Sequence, residues 1–523
     1  MTSTHTKIEI RVEVNHIHGG DLMSAPDPIV LLYEKRAGDW TEISRTEEVK
    51  DKHDVKFETS LFADLAFGSI QPMRIRVHDV DNHKVSELLG QIEFNLASLA
   101  RQTNITLPLI DKDGTESKKA KITLNAEEVS DNKDVLIWTV KGQNLPGKDK
   151  LGMSSDPYVM FKRQIEGGKM VETHRLPTIK GTKNPTWERE EVKVDTICKG
   201  NAFDPIYVEI YDEDDNTADD YMCESQFNLQ QLHKGGKHTF SLALTDKQSK
   251  KPKPAGTLSF EYEMRQTHSW MEYIRAGTEL NFIVFIDFTQ SNGDDVHSPD
   301  SLHYDSPNNA YLRATKAIYN VINQYDTDGK VPAFGYGAKL PGQKTMNPCF
   351  PLDYDAKSPE VSGFAGFQKA YYKSCQNIRM YGPTLGQPIC QMAQNFASNG
   401  GPTTQRYTVA LVLTDGDFTD MGPTTREIIS SSKLPMSYVF IGVGSGSQSD
   451  WDKLDFLDGD TGPLVDPDNQ SVKSERDITQ FVPFEKFAGN EAGLAAQVLG
   501  EIPQQMEEYF TNNGLVPGQG ISK

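Results

Sequence analysis

The stretch Asn281–Asn292, NFIVFIDFTQSN, decides how the C-terminal half of the chain folds. Phe282, Ile283, Val284, Phe285 and Ile286 form an unbroken apolar run, the pattern of a strand buried on both faces of a sheet. The run stops at Asp287, and Thr289 and Ser291 follow at a spacing of two. Three oxygen-bearing side chains just past a buried strand are expensive to desolvate unless something satisfies them. In an open α/β sheet, ligands sit beyond the carboxyl ends of the strands. One divalent cation is the occupant these residue types suggest.

Around this stretch, strands and helices alternate. A helix is predicted over Asn308–Tyr325, where Leu312, Thr315, Ile318 and Ile322 recur at helical spacing, and a short strand over Val331–Gly335. Helices follow at Gly363–Asn377 and Pro388–Asn399, and a second buried strand at Thr408–Thr414, TVALVLT. A helix at Thr424–Ser432, a strand at Met436–Gly442 and a closing helix at Glu501–Thr511 complete the series. The alternation predicts a doubly wound, largely parallel α/β domain over residues 270–515, with a polar tail at 516–523.

The N-terminal half is written differently. Ile8, Ile10, Val12 and Val14 alternate with Lys7, Glu9, Arg11 and Glu13, a half-buried strand. Strands at Pro28–Tyr33, Met73–His78 and Lys119–Ala126 follow with no long helical pattern between them, so residues 1–128 read as an all-β sandwich. The pattern returns at Val135–Val140, Pro157–Phe161, Pro205–Tyr211, Thr239–Leu244 and Gly256–Met264, giving a second all-β domain over 129–266. Asp27-Pro28 matches Asp156-Pro157, and the run Arg76 to Asp81 matches Glu209 to Asp214, a duplicated domain rather than a solenoid. The basic run Lys247–Pro254 reads as a solvated loop before the last strand of the second unit, with a basic lipid-headgroup contact as the alternative.

Composition narrows the function classes. At 523 residues the chain exceeds what one core accommodates. With 74 acidic against 54 basic residues, a formal charge of −20, it lacks the basic footprint of a nucleic-acid binder. The same charge disfavours constitutive docking on an anionic membrane, but not docking gated by bound cations, which reverse the local field. Five scattered cysteines without a CxxC pair, and no apolar run long enough to span a bilayer, point to a soluble protein in a reducing compartment.

The acidic residues cluster where the two β domains correspond. In the second, Asp149 and Asp156 flank the loop after the first strand, and Asp212, Asp214 and Asp220 occupy a later strand–loop junction. Carboxylates gathered at one end of a sandwich repel one another unless a hard cation sits among them. The segments LPGKDKLGMSSDPYVMF and IYDEDDNTADD resemble the calcium loops of C2 domains. That resemblance implies calcium ligands at Asp149, Asp156, Asp212, Asp214 and Asp220, with Asp149 one residue further from Asp156 than is usual. In the first domain it implies Asp21, Asp27, Asp79 and Asp81, with Glu87 at the fifth position, and hence a weaker site. Leu22, Met23, Leu88, Leu89, Leu151, Met153, Tyr221 and Met222 flank these loops and are candidate membrane contacts.

Asp287-x-Thr289-x-Ser291 resembles the metal-ion-dependent adhesion site of von Willebrand factor A domains. The resemblance implies that Thr384, in MYGPT, and Asp415, ending TVALVLTD, complete the site, with magnesium or manganese as the ion and a position open for a partner carboxylate. The segments AFGYGAKLPG (333–342), NPCFPLD (347–353), LTDGDFTDM (413–421), YVFIGVG (438–444) and EIPQQMEEYF (501–510) resemble the A domain of copines, and two C2 domains before it are the copine arrangement. What this implies is a monomeric cytosolic protein that moves to anionic membranes, such as phosphatidylserine surfaces, when calcium rises. Its A domain would recruit protein partners. The alternative is a calcium-insensitive scaffold whose A domain does all the binding. No nucleophile–base arrangement, GxSxG elbow, complete EF-hand loop or GxGxxG fingerprint supports catalysis or nucleotide binding.

Overall fold

The computed structural model describes residues 5–18, 25–81, 84–129, 134–147, 155–165, 168–198, 203–214, 218–233, 236–248, 251–325, 329–355, 357–398, 405–444, 451–459 and 462–519. By contact these form two compact units, Met1–Val129 with Ser269–Lys523, and Ser130–His268. In sequence, the second unit is thus inserted between the two parts of the first.

In the first unit, the opening alternation produces the strand His5–Asn15, with Thr6, Ile8, Ile10, Val12 and Val14 turned inward. It pairs antiparallel with Glu116–Glu128 on one side and with Leu61–Ala66 and Val55–Lys56 on the other. The sheet continues through Asn104–Ile110, Lys84–Asn95, Pro72–Asp81 and Pro28–Arg36 to Asp39–Arg45. The Ser130–His268 unit repeats this order in eight antiparallel strands, from Met170–Arg175 through Pro157–Gln164, Ile206–Asp212, Asp220–Phe227, Lys237–Asp246 and Lys253–Arg265 to Val135–Gln143 and Thr186–Lys193. Its core is built around Trp138, Phe161 and Trp187, each at most 1% exposed.

The α/β region carries five parallel strands: Glu279–Asp287, Lys330–Tyr336, Arg406–Thr414, Met436–Gly442 and Thr479–Pro483. Numbered in chain order they lie 2-1-3-4-5, with short antiparallel pieces at Phe350–Pro351 and Glu360–Ser362 on the outer edge. The helices Gly363–Asn377 and Ile502–Asn512 form where periodicity predicts them. The helix predicted over Asn308–Tyr325 is confined to Ala310–Ile322, because the Asn309 side chain caps it by accepting from Leu312 N. The strand order reverses direction between strands 1 and 3, and that switch point leaves a crevice at their carboxyl ends. Asp287 ends strand 1 and Asp415 follows strand 3.

The boundaries expected from the sequence run the three domains in series, whereas packing joins the first β sheet to the α/β region. The junction is the short helix Trp270–Arg275, started by a capping box between Ser269 and Glu272. Trp270, 2% exposed, meets Phe67 edge-on at 4.8 Å and Tyr325 at 5.8 Å, and its Nε1 donates to Thr6 Oγ1 at 3.4 Å. Arg275 donates to the backbone carbonyls of Ala100 at 2.6 Å and Ala126 at 3.2 Å. A Cβ on Gly68, whose φ is +83°, would stand 2.9 Å from Ala495 O, so the turn and the helix Glu491–Leu499 meet backbone to backbone. Trp270→Ala should therefore lower stability by about 3–5 kcal/mol. Hydrogen exchange in His5–Asn15 and in Arg406–Thr414 should rise together in that variant, measured by mass spectrometry.

Candidate functional site

Asp287 is fully buried at the end of its strand, and its two oxygens are held from different loops. Oδ1 accepts from Thr289 N at 2.8 Å and Thr289 Oγ1 at 2.6 Å. Oδ2 accepts from Thr414 Oγ1 at 3.0 Å and, at 3.4 Å, from Asp415 N. Ser291 Oγ donates to Asp415 Oδ1 at 2.9 Å, and Thr384 Oγ1 donates to Thr289 Oγ1 at 3.3 Å. Asp287, Thr289, Ser291, Thr384 and Asp415, picked from three separate stretches of sequence, thus come together at the switch point.

The cluster is crowded with oxygens: Thr289 bonds Asp287, Ser291 bonds Asp415, and the two hydroxyl oxygens lie 3.0 Å apart, where either can donate to the other. Among the described residues, the bonds to both carboxylates come from hydroxyls and backbone N–H groups. Burial raises the pKa of each acid, and for Asp415 the neighbouring Asp287 charge adds to it. A hard cation among these oxygens would relieve the repulsion between the two carboxylates, and the all-oxygen donor set fits magnesium or manganese. Among the described residues, no three His, Cys, Asp or Glu side chains gather as for a metal, so this cluster relies on hydroxyls for the rest of its donors.

Several supporting residues were not singled out from sequence. Thr414 ends the buried strand TVALVLT and holds Asp287, a role visible only once strands 1 and 3 are paired. Thr419 donates through N (2.9 Å) and Oγ1 (2.8 Å) to Thr384 O, and Asp420 caps the next helix at Gly386 N (2.7 Å) and Gln387 N (3.1 Å). Gly337, at φ +77°, packs under Thr289, where a Cβ would collide with Thr289 Cγ2. Buried His303 donates from Nε2 to Asp287 O at 2.7 Å, since a carbonyl can only accept. Its Nδ1 therefore accepts from Tyr371 OH at 2.7 Å, and that hydroxyl accepts from Asn309 Nδ2 at 3.1 Å. The helix cap at Asn309 is in this way wired to the backbone of Asp287.

In the β units, Asp27 and Asp156 occupy one local geometry twice. Asp27 N donates to Asp79 Oδ1 at 2.7 Å, and Asp156 N to Asp212 Oδ1 at 2.5 Å. Val80 N bonds Asp27 O at 3.1 Å, and Glu213 N bonds Asp156 O at 3.0 Å. Asp51 N and Gly181 N each donate to the matching aspartate Oδ1, both at 2.7 Å. The first copy differs in that Lys50 Nζ lies 2.9 Å from Asp27 Oδ2, and this bond leads the causes that lower the Asp27 pKa. Asp214 is half-buried and Asp220 exposed, with Asp220 in register with Asp212. Asp219, which sequence reading passed over, accepts from Tyr158 OH at 2.8 Å and from Asp214 N at 3.2 Å. Asp81 and Glu87 are exposed, at the end of Pro72–Asp81 and on Lys84–Asn95.

Asp21, Leu22, Met23, Asp149, Leu151 and Met153 lie outside the described residues. Of the remaining membrane-contact candidates, Met222 is corrected: it is 0% exposed in the core of its sheet, where the ladder shifts register between Ile210–Cys223 and Tyr211–Tyr221 and the extra residue is buried together with Cys223. Leu89 is half-buried against the core and Leu88 half-buried, while the exposed apolar side chain on that hairpin is Val85. Tyr221 is half-buried, its hydroxyl on Glu224 at 3.0 Å.

The network yields a pH test. Burial lowers the His303 pKa from 6.5 to about 3. Between these values the unfolded chain binds a proton that the folded chain does not, so this stability is complete above about pH 6.5 and falls as pH drops. His303→Gln should cost about 1–3 kcal/mol at pH 7, because Asp287 O and Tyr371 OH lose a partner. The gap to the wild type should narrow by about 2 kcal/mol at pH 5, measured by urea unfolding.

A family model described as Copine matches residues 301–518, and one described as C2 domain matches residues 9–109 and 133–244. Copine-A of Dictyostelium discoideum is 33% identical over 515 residues, covering 97% of this chain and 84% of that protein. Among solved structures, the calcium-bound pair of C2 domains of Extended-Synaptotagmin 2 is 16% identical and covers 51% of this chain and 99% of that one, at a TM-score of 0.24. The second C2 domain of BON1 is 22% identical and covers 25% of this chain and 92% of that one, at a TM-score of 0.21. Structural likenesses this weak carry nothing about function. Similarity to Copine-A along nearly the whole length, with the Copine and C2 models falling on the α/β region and the two β sheets, places the chain in the copine family.

Proposed function

We propose that this copine is a binding protein with two cation-dependent activities. Its acidic β-sheet loops take up calcium and then dock on anionic phospholipid, carrying the protein from the cytosol to the membrane as calcium rises. Its α/β region captures protein partners through magnesium or manganese held by Asp287, Thr289, Ser291, Thr384 and Asp415. The observation that most supports the reading is the pair Asp287 and Asp415, two carboxylates brought together in the switch-point crevice with only neutral donors around them among the described residues. For calcium, the support is the repeated Asp27–Asp79 and Asp156–Asp212 geometry.

The two β sheets are not equal in this reading. Lys50 already supplies a positive charge to Asp27, so calcium must displace an ammonium in the first sheet. The second sheet then dominates calcium-dependent binding. Asp212→Asn/Asp214→Asn should abolish most calcium-dependent sedimentation with phosphatidylserine liposomes, and adding Lys50→Gln should restore part of it at higher calcium. Equal pelleting of the wild type in calcium and in chelator would overturn the membrane reading. For the α/β region, Asp287→Ala should abolish magnesium binding measured by calorimetry with calcium chelated.

A further inference from the structure

The metal cluster is bordered by a short basic ribbon. Ala338–Lys339 pairs antiparallel with Arg379–Met380, and the register sets Lys339 directly opposite Arg379. Like charges facing each other across a strand pair are destabilising. Among the described residues, no carboxylate forms an ion pair with either side chain, although the chain as a whole carries 20 excess negative charges. Lys339 Nζ instead lies 3.6 Å from the centre of the Tyr381 ring, which is 39% exposed. Exposed Lys344 adds a third cation in the loop that returns from Lys339 to Asn347, whose N bonds Ala338 O at 2.7 Å.

The ribbon is joined to the site by backbone. Thr289 bridges Tyr381, and Gln290 N donates to Tyr381 O. Tyr381 N in turn donates to Gly337 O at 3.2 Å, and Thr384 follows three residues later. Two exposed acidic residues also lie near Gln290 in sequence: Asp294, which accepts from Gln290 Nε2 at 2.8 Å, and Asp295.

We propose that Lys339, Arg379 and the Tyr381 ring form the docking strip for an acidic peptide segment. One of its carboxylates reaches the metal site while its neighbours lie along the ribbon. This rests on the metal-dependent reading above and adds the chemistry of the partner: cationic side chains and an exposed ring beside the cluster select an acidic segment.

The probe is a fluorescent hexaglutamate peptide, with hexaglutamine as control, titrated with the full chain in magnesium and calcium chelator. Wild type should bind hexaglutamate and not hexaglutamine, and excess chelation of magnesium should abolish the binding. Lys339→Gln/Arg379→Gln should weaken it about tenfold, the loss of two surface ion pairs, with magnesium binding by calorimetry retained. Unweakened binding by that double variant overturns the strip while leaving the metal reading in place. Failure of the wild type to bind hexaglutamate while still binding magnesium also overturns the strip. Failure of the wild type to bind magnesium overturns the metal reading itself.

Discussion

The crowding of Asp287 against Asp415 is the constraint on which the α/β region depends. A carboxylate with no solvent exposure is normally paired or coordinated. Here its partners are Thr289 through N and Oγ1, the hydroxyl of Thr414, which also lies 2.9 Å from Gly416 O, and the backbone of Asp415. The 2-1-3-4-5 strand order creates the crevice, and the supporting residues keep its walls at fixed spacing. Gly337 lets Thr289 approach the neighbouring strand, Thr419 fixes Thr384, and His303 grips Asp287 from behind. The oxygens are thus held by protein contacts alone, an arrangement that would suit a small ion with strict geometric demands if one binds as proposed.

The β units meet a related problem differently. Asp27, Asp79 and Asp156 are half-buried at strand ends and only Asp212 of these is buried, and each accepts from a backbone N–H group. In one copy a lysine moderates the charge; in the other the aspartate is held by backbone alone among the bonds described. Duplication thus preserved the backbone scaffold of the loops while letting their electrostatics diverge.

Much of this was legible in the chain. Asp287, Thr289 and Ser291 are neighbours in sequence, and a buried run ending in spaced oxygens is a local signal. The repeated strand grammar exposed the duplication for the same reason, since each unit restates its own pattern. Thr384 and Asp415 came only from resemblance to a family, because nothing local announces that two distant loops converge. Thr414 and His303 escaped altogether: a threonine closing an apolar strand and a histidine in a polar loop acquire meaning only through pairing across the sheet. Met222 shows the opposite error. Its place beside acidic residues suggested a loop tip, while a register shift within Asp220–Phe227, which no local pattern announces, buries it together with Cys223.

The helix Trp270–Arg275 changes what it means to shorten this protein. The chain reads as three modules in a row, so deleting the first 129 residues looks like removing one membrane-binding element and keeping the rest. That deletion would also leave Trp270 without Phe67 and Thr6, and Arg275 without the carbonyls of Ala100 and Ala126. It would bare a buried aromatic and a half-buried cation on the α/β region itself. A truncation map drawn along the sequence would then assign to the first module effects that arise in the third.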